Sequence, residues 1–415
     1  MTNISPNFAP LTVQDATIIP VTNRPATSLQ GILLLIGSCL PVLGAVLLAP
    51  ILPTLSEVFA AEPGAEALVP LVLTIPALMI AIIAPFAGAI VDRLGRKRLL
   101  VGALIAYGIL GTAPLYLNGL GAIVLSRVGV GITEAAIMTC CTTLLADYFV
   151  GNRRNRYFGL QTVVTSLAAT AFFVIGGALG ASGWRTPFWL YLASLVLVIP
   201  VAIFIWQPAS TRAGVGKAKL PPIPWRGLTL PLVVTLFGGV MFYALIVELP
   251  YVLDGLGVKD VAIIGAATAT ASLATAIGAI LFRWIARHGA ARLLPLALGL
   301  AGAGLVVVWF APSVPIAVIG AVITSFGNGI LLPTLLTWAV SGLAFEQRGR
   351  GTGLWTGALF FGQFASPLLL LGIGALLGGL PAALGALGLA SVALAAALAV
   401  ALPRRAETVR YSATS

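Results

Sequence analysis

Two carboxylates, Glu134 and Glu248, stand inside long apolar runs of a 415-residue chain that is poor in charge. An acid in apolar surroundings is costly to ionise, so it can load and release a proton as those surroundings change. Arg127 precedes Glu134 by seven residues, which on a helix puts both on one face about 10 Å apart along the axis. That spacing is too long for a direct ion pair and leaves room for water, a proton or an anionic group. The plainer readings are a permanently protonated Glu134 bonded between helices and a Glu248 at a water-exposed rim. A third concentration of charge is Gly88-Ala-Ile-Val-Asp92-Arg93-Leu-Gly95-Arg96-Lys97-Arg98, five charges in a short gap between two apolar runs.

The elements that must position these residues follow from composition. Only 8% of residues are charged and 59% are hydrophobic, against about 25% and about 45 to 50% in soluble domains. A bilayer-crossing helix needs about 20 apolar residues. Twelve such runs, numbered helices 1 to 12, lie near 29 to 55, 66 to 90, 99 to 117, 121 to 146, 158 to 181, 186 to 206, 228 to 253, 260 to 283, 293 to 312, 315 to 340, 352 to 377 and 381 to 402. With the N-terminus inside, all of the 23 Lys and Arg residues except Arg127, Arg185 and Lys259 fall on the inner side. That bias places both termini in the cytoplasm. The first outer loop is acidic, with Glu57, Glu62 and Glu66. A net charge of +11 spread over inner loops reports topology and contact with anionic lipid, not nucleic acid binding. Residues 1 to 28 lack the pattern of a cleaved signal and read as a cytoplasmic tail. The polar, Pro-kinked segment 207–227 divides the helices six and six, into bundles 29–206 and 228–402, with a second tail at 403–415.

The charged stretch after Gly88 resembles the loop between helices 2 and 3 of the major facilitator superfamily, matching every charged and glycine position of its G-x-L-a-D-r-x-G-r-k pattern. A degenerate echo, Gly278-x4-Arg283-x3-Arg287-His288-Gly289-x2-Arg292, follows helix 8 and supports two related halves in parallel. Leu43-Gly44-x5-Pro50-Ile51-Leu52-Pro53 in helix 1 resembles a signature of the drug:proton antiporter groups, although two prolines near a helix end also simply kink it. Arg127-x3-Gly131-x2-Glu134 resembles the helix 4 motif, whose arginine the family uses in proton transfer or helix packing. The resemblance further implies a charge network of Asp92, Arg93 and Arg96 with Asp147, locking the inner side of the N-terminal half in an outward-open state. One departure stands out. Antiporters of the family carry G-x3-G-P-x2-G-G in helix 5, where this chain has Ala168-x3-Phe172-Phe173-Val-Ile-Gly176-Gly177.

The fold so implied is all-α, twelve transmembrane helices in two six-helix bundles around a central cavity. The cavity is expected to be lined by Ser38, Met138, Gln161, Thr165, Tyr243, Tyr251, Ser325, Asn328, Trp338, Phe360 and Gln363. Arg127 and Glu248, from opposite halves and at similar height, are expected to approach when the outer side closes. There is no phosphate loop, H-E-x-x-H or G-x-S-x-G elbow, so an enzyme is not expected. Cys39, Cys140 and Cys141 lie in apolar runs and His288 stands alone, so no metal or other cofactor is expected. The energy source is then a proton gradient. The expected function is a proton-coupled exporter of small amphiphilic or drug-like molecules, a monomer in the cell inner membrane. The alternatives are a proton-coupled importer of a small organic metabolite or organic acid, and more remotely a non-transporting membrane receptor.

Overall fold

Backbone N–H and C=O groups find no water in a lipid core, so long apolar runs must satisfy their hydrogen bonds internally as helices. The computed structural model describes residues 26–208 and 222–402. Among them twelve helices are long and apolar enough to cross a membrane: Ser28–Val58 (helix 1), Ala65–Ile83 (helix 2), Arg96–Leu115 (helix 3), Leu120–Tyr148 (helix 4), Gly151–Gly180 (helix 5), Thr186–Phe204 (helix 6), Trp225–Gly255 (helix 7), Val261–His288 (helix 8), Ala290–Trp309 (helix 9), Val314–Ser341 (helix 10), Gln347–Leu377 (helix 11) and Leu380–Ala401 (helix 12). The expected tails, and most of the expected linker, lie outside the described residues.

Several boundaries differ from those the apolar runs predict. Helix 5 starts seven residues early, because Arg153, Arg154 and Arg156 continue the helix beyond its apolar part. Helix 1 is interrupted by a 3-10 turn at Ala49–Ile51, where Pro50 and Pro53 each remove a backbone donor. Helix 6 opens as a 3-10 segment, Thr186–Leu192. Helix 2 ends before Pro85, and a two-turn helix, Ala87–Leu94, carries the chain to Gly95.

Gly95 has φ 83 and ψ 129, a conformation open essentially to glycine alone, and helix 3 begins at the next residue. Gly289, between helices 8 and 9, has φ 74 and ψ 165. The weak sequence echo therefore corresponds to the same glycine-dependent turn in both halves.

Since successive helices alternate in direction, the basic loops at Arg93 to Arg98, Arg153 to Arg156, Arg283 to Arg292 and Arg348 to Arg350 gather at one end. Glu57, Glu62 and Glu66 mark the other. The two halves meet tightly at this acidic end. Tyr243, Val247 and Ala269 of the second half belong to the buried apolar cluster of the first. Helices 5 and 8 cross there backbone to backbone. A Cβ on Gly265 would lie 2.6 Å from the Phe173 carbonyl oxygen and 2.8 Å from the Gly177 Cα.

Candidate functional site

Between the halves lies a cavity of about 1010 Å³, bounded by helices 1, 2, 4, 5, 7, 8, 10 and 11. It reaches Gly88, Gly349, Thr352 and Gly353 at the basic end, and Gly88 and Gly349 are exposed there. The acidic end is shut. The Tyr243 hydroxyl donates to the Ala45 carbonyl at 2.7 Å, and the Tyr251 and Ser56 hydroxyls share a hydrogen bond of 3.0 Å. Lys259 stands 3.7 Å from Glu57 and 2.7 Å from Asp254.

Nine of the expected lining residues are in place: Ser38, Met138, Gln161, Thr165, Tyr243, Ser325, Asn328, Phe360 and Gln363. Gln161 ties three helices, donating to the Ser38 hydroxyl at 2.8 Å and the Thr142 hydroxyl at 3.2 Å. Asn328 donates to the Met241 carbonyl at 3.1 Å, while its Oδ1 is buried without a partner. Two expected residues are elsewhere. Tyr251 belongs to the closed acidic end. Trp338 packs against the core around Leu294 and Leu298; it follows the lining residue Leu336 by two positions, which turns it about 200° around the helix.

Helices 5 and 8 contribute more than was expected of them. Thr162 and Ser166 on helix 5, with Thr268, Ser272 and Thr275 on helix 8, line the cavity, and Thr170 donates to Ser272 at 3.2 Å across the crossing. The signal was present: Thr268, Ser272 and Thr275 have the i, i+4, i+7 spacing of one helix face. Phe173, which replaces the family's proline, is 3% exposed and lines the cavity.

Glu134 forms part of the cavity wall, is 1% exposed, and has an Oε1 with no hydrogen-bond partner. That oxygen rests against the backbone of Gly44, where any Cβ would overlap it. Arg127 is also 1% exposed but does not line the cavity. Its Nη2 donates to the carbonyls of Leu110 and Gly111 at 3.0 and 3.1 Å. These belong to the last turn of an α-helical segment, where carbonyls lack intrahelical partners and the helix dipole favours a cation. The guanidinium also lies 5.4 Å from the Phe188 ring centroid and 5.1 Å from that of Tyr191. Glu248 is 7% exposed and off the cavity. With the acidic end closed, no ion pair joins it to Arg127 among the described residues, contrary to the expected approach. The reason is that helix 3 and the two rings hold Arg127 inside the first half.

Arg96 pairs with Asp147 at 2.6 Å and with Asp92 at 3.2 Å, while Arg93 is exposed. This network is formed although the cavity opens at the same end, so it does not mark an outward-open state here. Arg96, Asp92 and Asp147 all belong to the first half. Among the described residues no group of acids, histidines and cysteines is arranged to hold a metal ion.

Comparison with known proteins gives a consistent result. The family model described as Major Facilitator Superfamily matches residues 34–284, more than half of the chain. The class C tetracycline resistance protein of Escherichia coli is 29% identical over 202 residues, 48% of either chain. The class H protein of Pasteurella multocida is 25% identical over 190 residues, 46% of this chain and 47% of that one. The quinolone resistance protein NorA of Staphylococcus aureus is 26% identical over 160 residues, 37% of this chain and 41% of NorA. The matches thus span about half the length of these relatives or less. Among solved structures, a bacterial homolog to the human lysosomal transporter Spinster, in an inward-facing and occupied conformation, has TM-score 0.72 at 17% identity, covering 91% of this chain and 97% of that one. The human organic anion transporter MFSD10 has TM-score 0.66 at 19% identity, covering 90% and 99%.

Proposed function

This chain belongs to the Major Facilitator Superfamily, and from that premise we propose that it is a proton-coupled exporter of lipophilic molecules that are neutral or cationic. One observation carries the sign of the substrate. Among the described residues lining the cavity, only Glu134 is an acid or a strong base, because Arg127 is sealed behind helix 3 and two aromatic rings. An organic anion would find no cation there. An amine or other lipophilic cation would find a carboxylate and largely apolar walls.

The mechanism follows from one acid serving two ligands. Glu134 binds a proton when the cavity faces the acidic, outer side and gives it up when the cavity faces the cytoplasm, where the cation takes its place. The asymmetry of basic residues supports this orientation in the inner membrane, with both termini cytoplasmic. The tetracycline and quinolone resistance proteins support export, at a distance that leaves the substrate open. A second reading, proton-coupled import, is favoured by the Phe172-Phe173 pair in place of the antiporter Gly-Pro.

Proteoliposomes carrying an internal pH dye test the proposal. Tetraphenylphosphonium, a neutral lipophile and an organic acid would be added to the wild type and to Glu134→Gln. Proton movement opposite to the cation, lost in Glu134→Gln, is the expected result. Movement in the same direction establishes the importer, and a response to the organic acid alone overturns the sign of the substrate.

A further inference from the structure

The hydroxyls that helices 4 and 5 bring to the cavity are mostly spent as donors. Thr139 gives its proton to the Ala135 carbonyl at 2.7 Å, Thr143 to that of Thr139 at 2.8 Å, Thr162 to that of Phe158 at 3.2 Å and Thr165 to that of Gln161 at 2.8 Å. All four threonines line the cavity. In an apolar helix the carbonyl one turn back is the acceptor within reach, so Ser and Thr bond to it. A hydroxyl carries one proton and two lone pairs. Once the proton is committed, the lone pairs are what face a ligand.

Gln161 extends the same pattern. Its amide nitrogen donates to Ser38 on helix 1 and to Thr142 on helix 4, which sets the faces of three helices side by side and leaves its carbonyl oxygen as the free end. Glu134, when ionised, only accepts. Among the described hydroxyls that helices 4 and 5 give to the cavity, Thr142 and Ser166 alone donate to no carbonyl. Helix 7 of the other half offers an apolar face instead, Phe242, Leu245, Ile246 and Leu249, at the i, i+3, i+4, i+7 spacing of one helix side.

We propose that helices 4 and 5 form an acceptor wall that selects its ligand by hydrogen-bond donors, so that among lipophilic cations it takes protonated amines over cations of equal charge that carry no N–H or O–H. The amine class rests on the cationic substrate proposed above, whereas the acceptor wall does not. Any ligand seated on such a wall takes the place of water, which donates to oxygens of this kind. An ammonium replaces those donations with charge-assisted ones. A trimethylammonium or phosphonium group brings the charge but no donor, so each oxygen it covers goes unpaired. Tetraphenylphosphonium is then a weak ligand beside an amine of similar lipophilicity. Thr139 and Thr165 are specificity-determining residues in this reading, and helix 7 receives the apolar body of the molecule.

The test uses the full chain in nanodiscs and two matched pairs of probes. 4-Phenylbutylamine and 4-phenylbutyltrimethylammonium share one charge and differ in their donors; 4-phenylbutanol and its methyl ether form the neutral pair. Dissociation constants are measured with empty nanodiscs as the correction for partition into lipid. In the wild type the amine should bind about tenfold more tightly than the trimethylammonium, the equivalent of one hydrogen bond to a charged group. That ratio should fall about threefold or more in Thr139→Val/Thr165→Val, the equivalent of a lost hydrogen bond, and return in Thr139→Ser/Thr165→Ser. Threonines that only shaped their helices would move both constants together and leave the ratio alone. Equal affinities for the amine and the trimethylammonium in the wild type, or a ratio unchanged in the valine variant, overturn the acceptor wall and leave the cationic substrate standing. If neither cation binds while the alcohol binds several-fold more tightly than the ether, the cationic substrate fails and the acceptor wall stands.

Discussion

Gly44 shows how one missing side chain sets the chemistry of another. Its Cα forms the floor under Glu134 Oε1, and the same spot lies close to the Tyr107 hydroxyl. Gly44→Ala should therefore push the carboxyl off its seat and cut proton-coupled flux by an order of magnitude, with an overpacking cost of about 1 to 3 kcal/mol. Gly102→Ala is the control, since nothing lies within 4 Å of a Cβ there and it does not line the cavity. Flux assays and thermal melting in detergent separate the two effects, and Gly44→Ala transport equal to that of the control would refute the assignment. The glycine was legible in the sequence as part of a helix 1 signature, but its partner was not, because the two are ninety positions apart and meet only through packing. Arg127 is a parallel case. Its partners are the backbone carbonyls of Leu110 and Gly111, which leave no trace in residue types, so the sequence suggested Glu248 instead. Arg127→Lys keeps the charge but loses the planar fork. It should lower stability by about 1 to 3 kcal/mol per carbonyl left unpaired, read as an earlier melting transition, without reversing the preference for cations over anions.

The halves meet along helices 5 and 8 at the acidic end and along helices 2 and 11 toward the basic end, where a Cβ on Gly353 would lie 3.1 Å from the Ala84 carbonyl oxygen. Helices 5 and 8 touch through Gly177 and Gly265, where backbone atoms block any Cβ and cannot swing away as a side chain would. Gly265→Leu should force the acidic ends of helices 5 and 8 apart. Spin labels on those ends would then report a long-distance population that the wild type lacks; an unchanged distance distribution would show that this crossing does not hold the end shut. Tyr251→Phe removes the bond to Ser56 and the long, weak one of 3.5 Å to the Leu52 carbonyl, so about 1 kcal/mol is lost and the closed-to-open ratio at that end falls about fivefold. The Lys259 contacts are exposed, contribute less and weaken with salt. The hydrogen bond to Asp254 holds the Lys259 ammonium above its usual range, so on the alkaline side this contact persists beyond neutral pH and fades as pH rises past that raised value. The twelve helices were legible because lipid demands length and apolarity together. The break of helix 1 at Ala49–Ile51 was legible in Pro50 and Pro53, but the break at Pro85 and the early start of helix 5 were not, since an apolar count is blind to short breaks and to basic helical turns beyond the bilayer. Of the hydroxyls that helices 5 and 8 bring to the wall, Thr165 alone is expected from the sequence, because Ser and Thr in apolar helices also serve as ordinary helix-to-helix glue.

At the scale of the whole molecule, the number of charges in the cavity fixes how transport responds to membrane voltage. On the proposed mechanism, with Glu134 the only acid or strong base on the wall among the described residues, the carrier holds either one proton or one monovalent cation. In the first case the carboxyl is neutral, and in the second the carboxylate and the cation cancel. The cavity therefore carries no net charge in either loaded state, and exchange of one for the other moves none across the membrane. Export of a monovalent lipophilic cation should follow the pH gradient alone. A neutral substrate is different. Each cycle then carries one uncompensated proton, worth about 2.3 kcal/mol per 100 mV of membrane potential. In proteoliposomes held at equal pH, with a potassium diffusion potential set by valinomycin, tetraphenylphosphonium exchange should be unaffected by the potential, while export of a neutral lipophile should be driven by it. Cation exchange that responds to voltage would mean that a second group titrates in the cycle. Glu248 is then the residue to examine, because it is buried in a membrane helix of the other half and bears no charge partner among the described residues. Combining Glu248→Gln with the same voltage protocol would settle the count, since removing a second proton site would restore voltage-independent exchange.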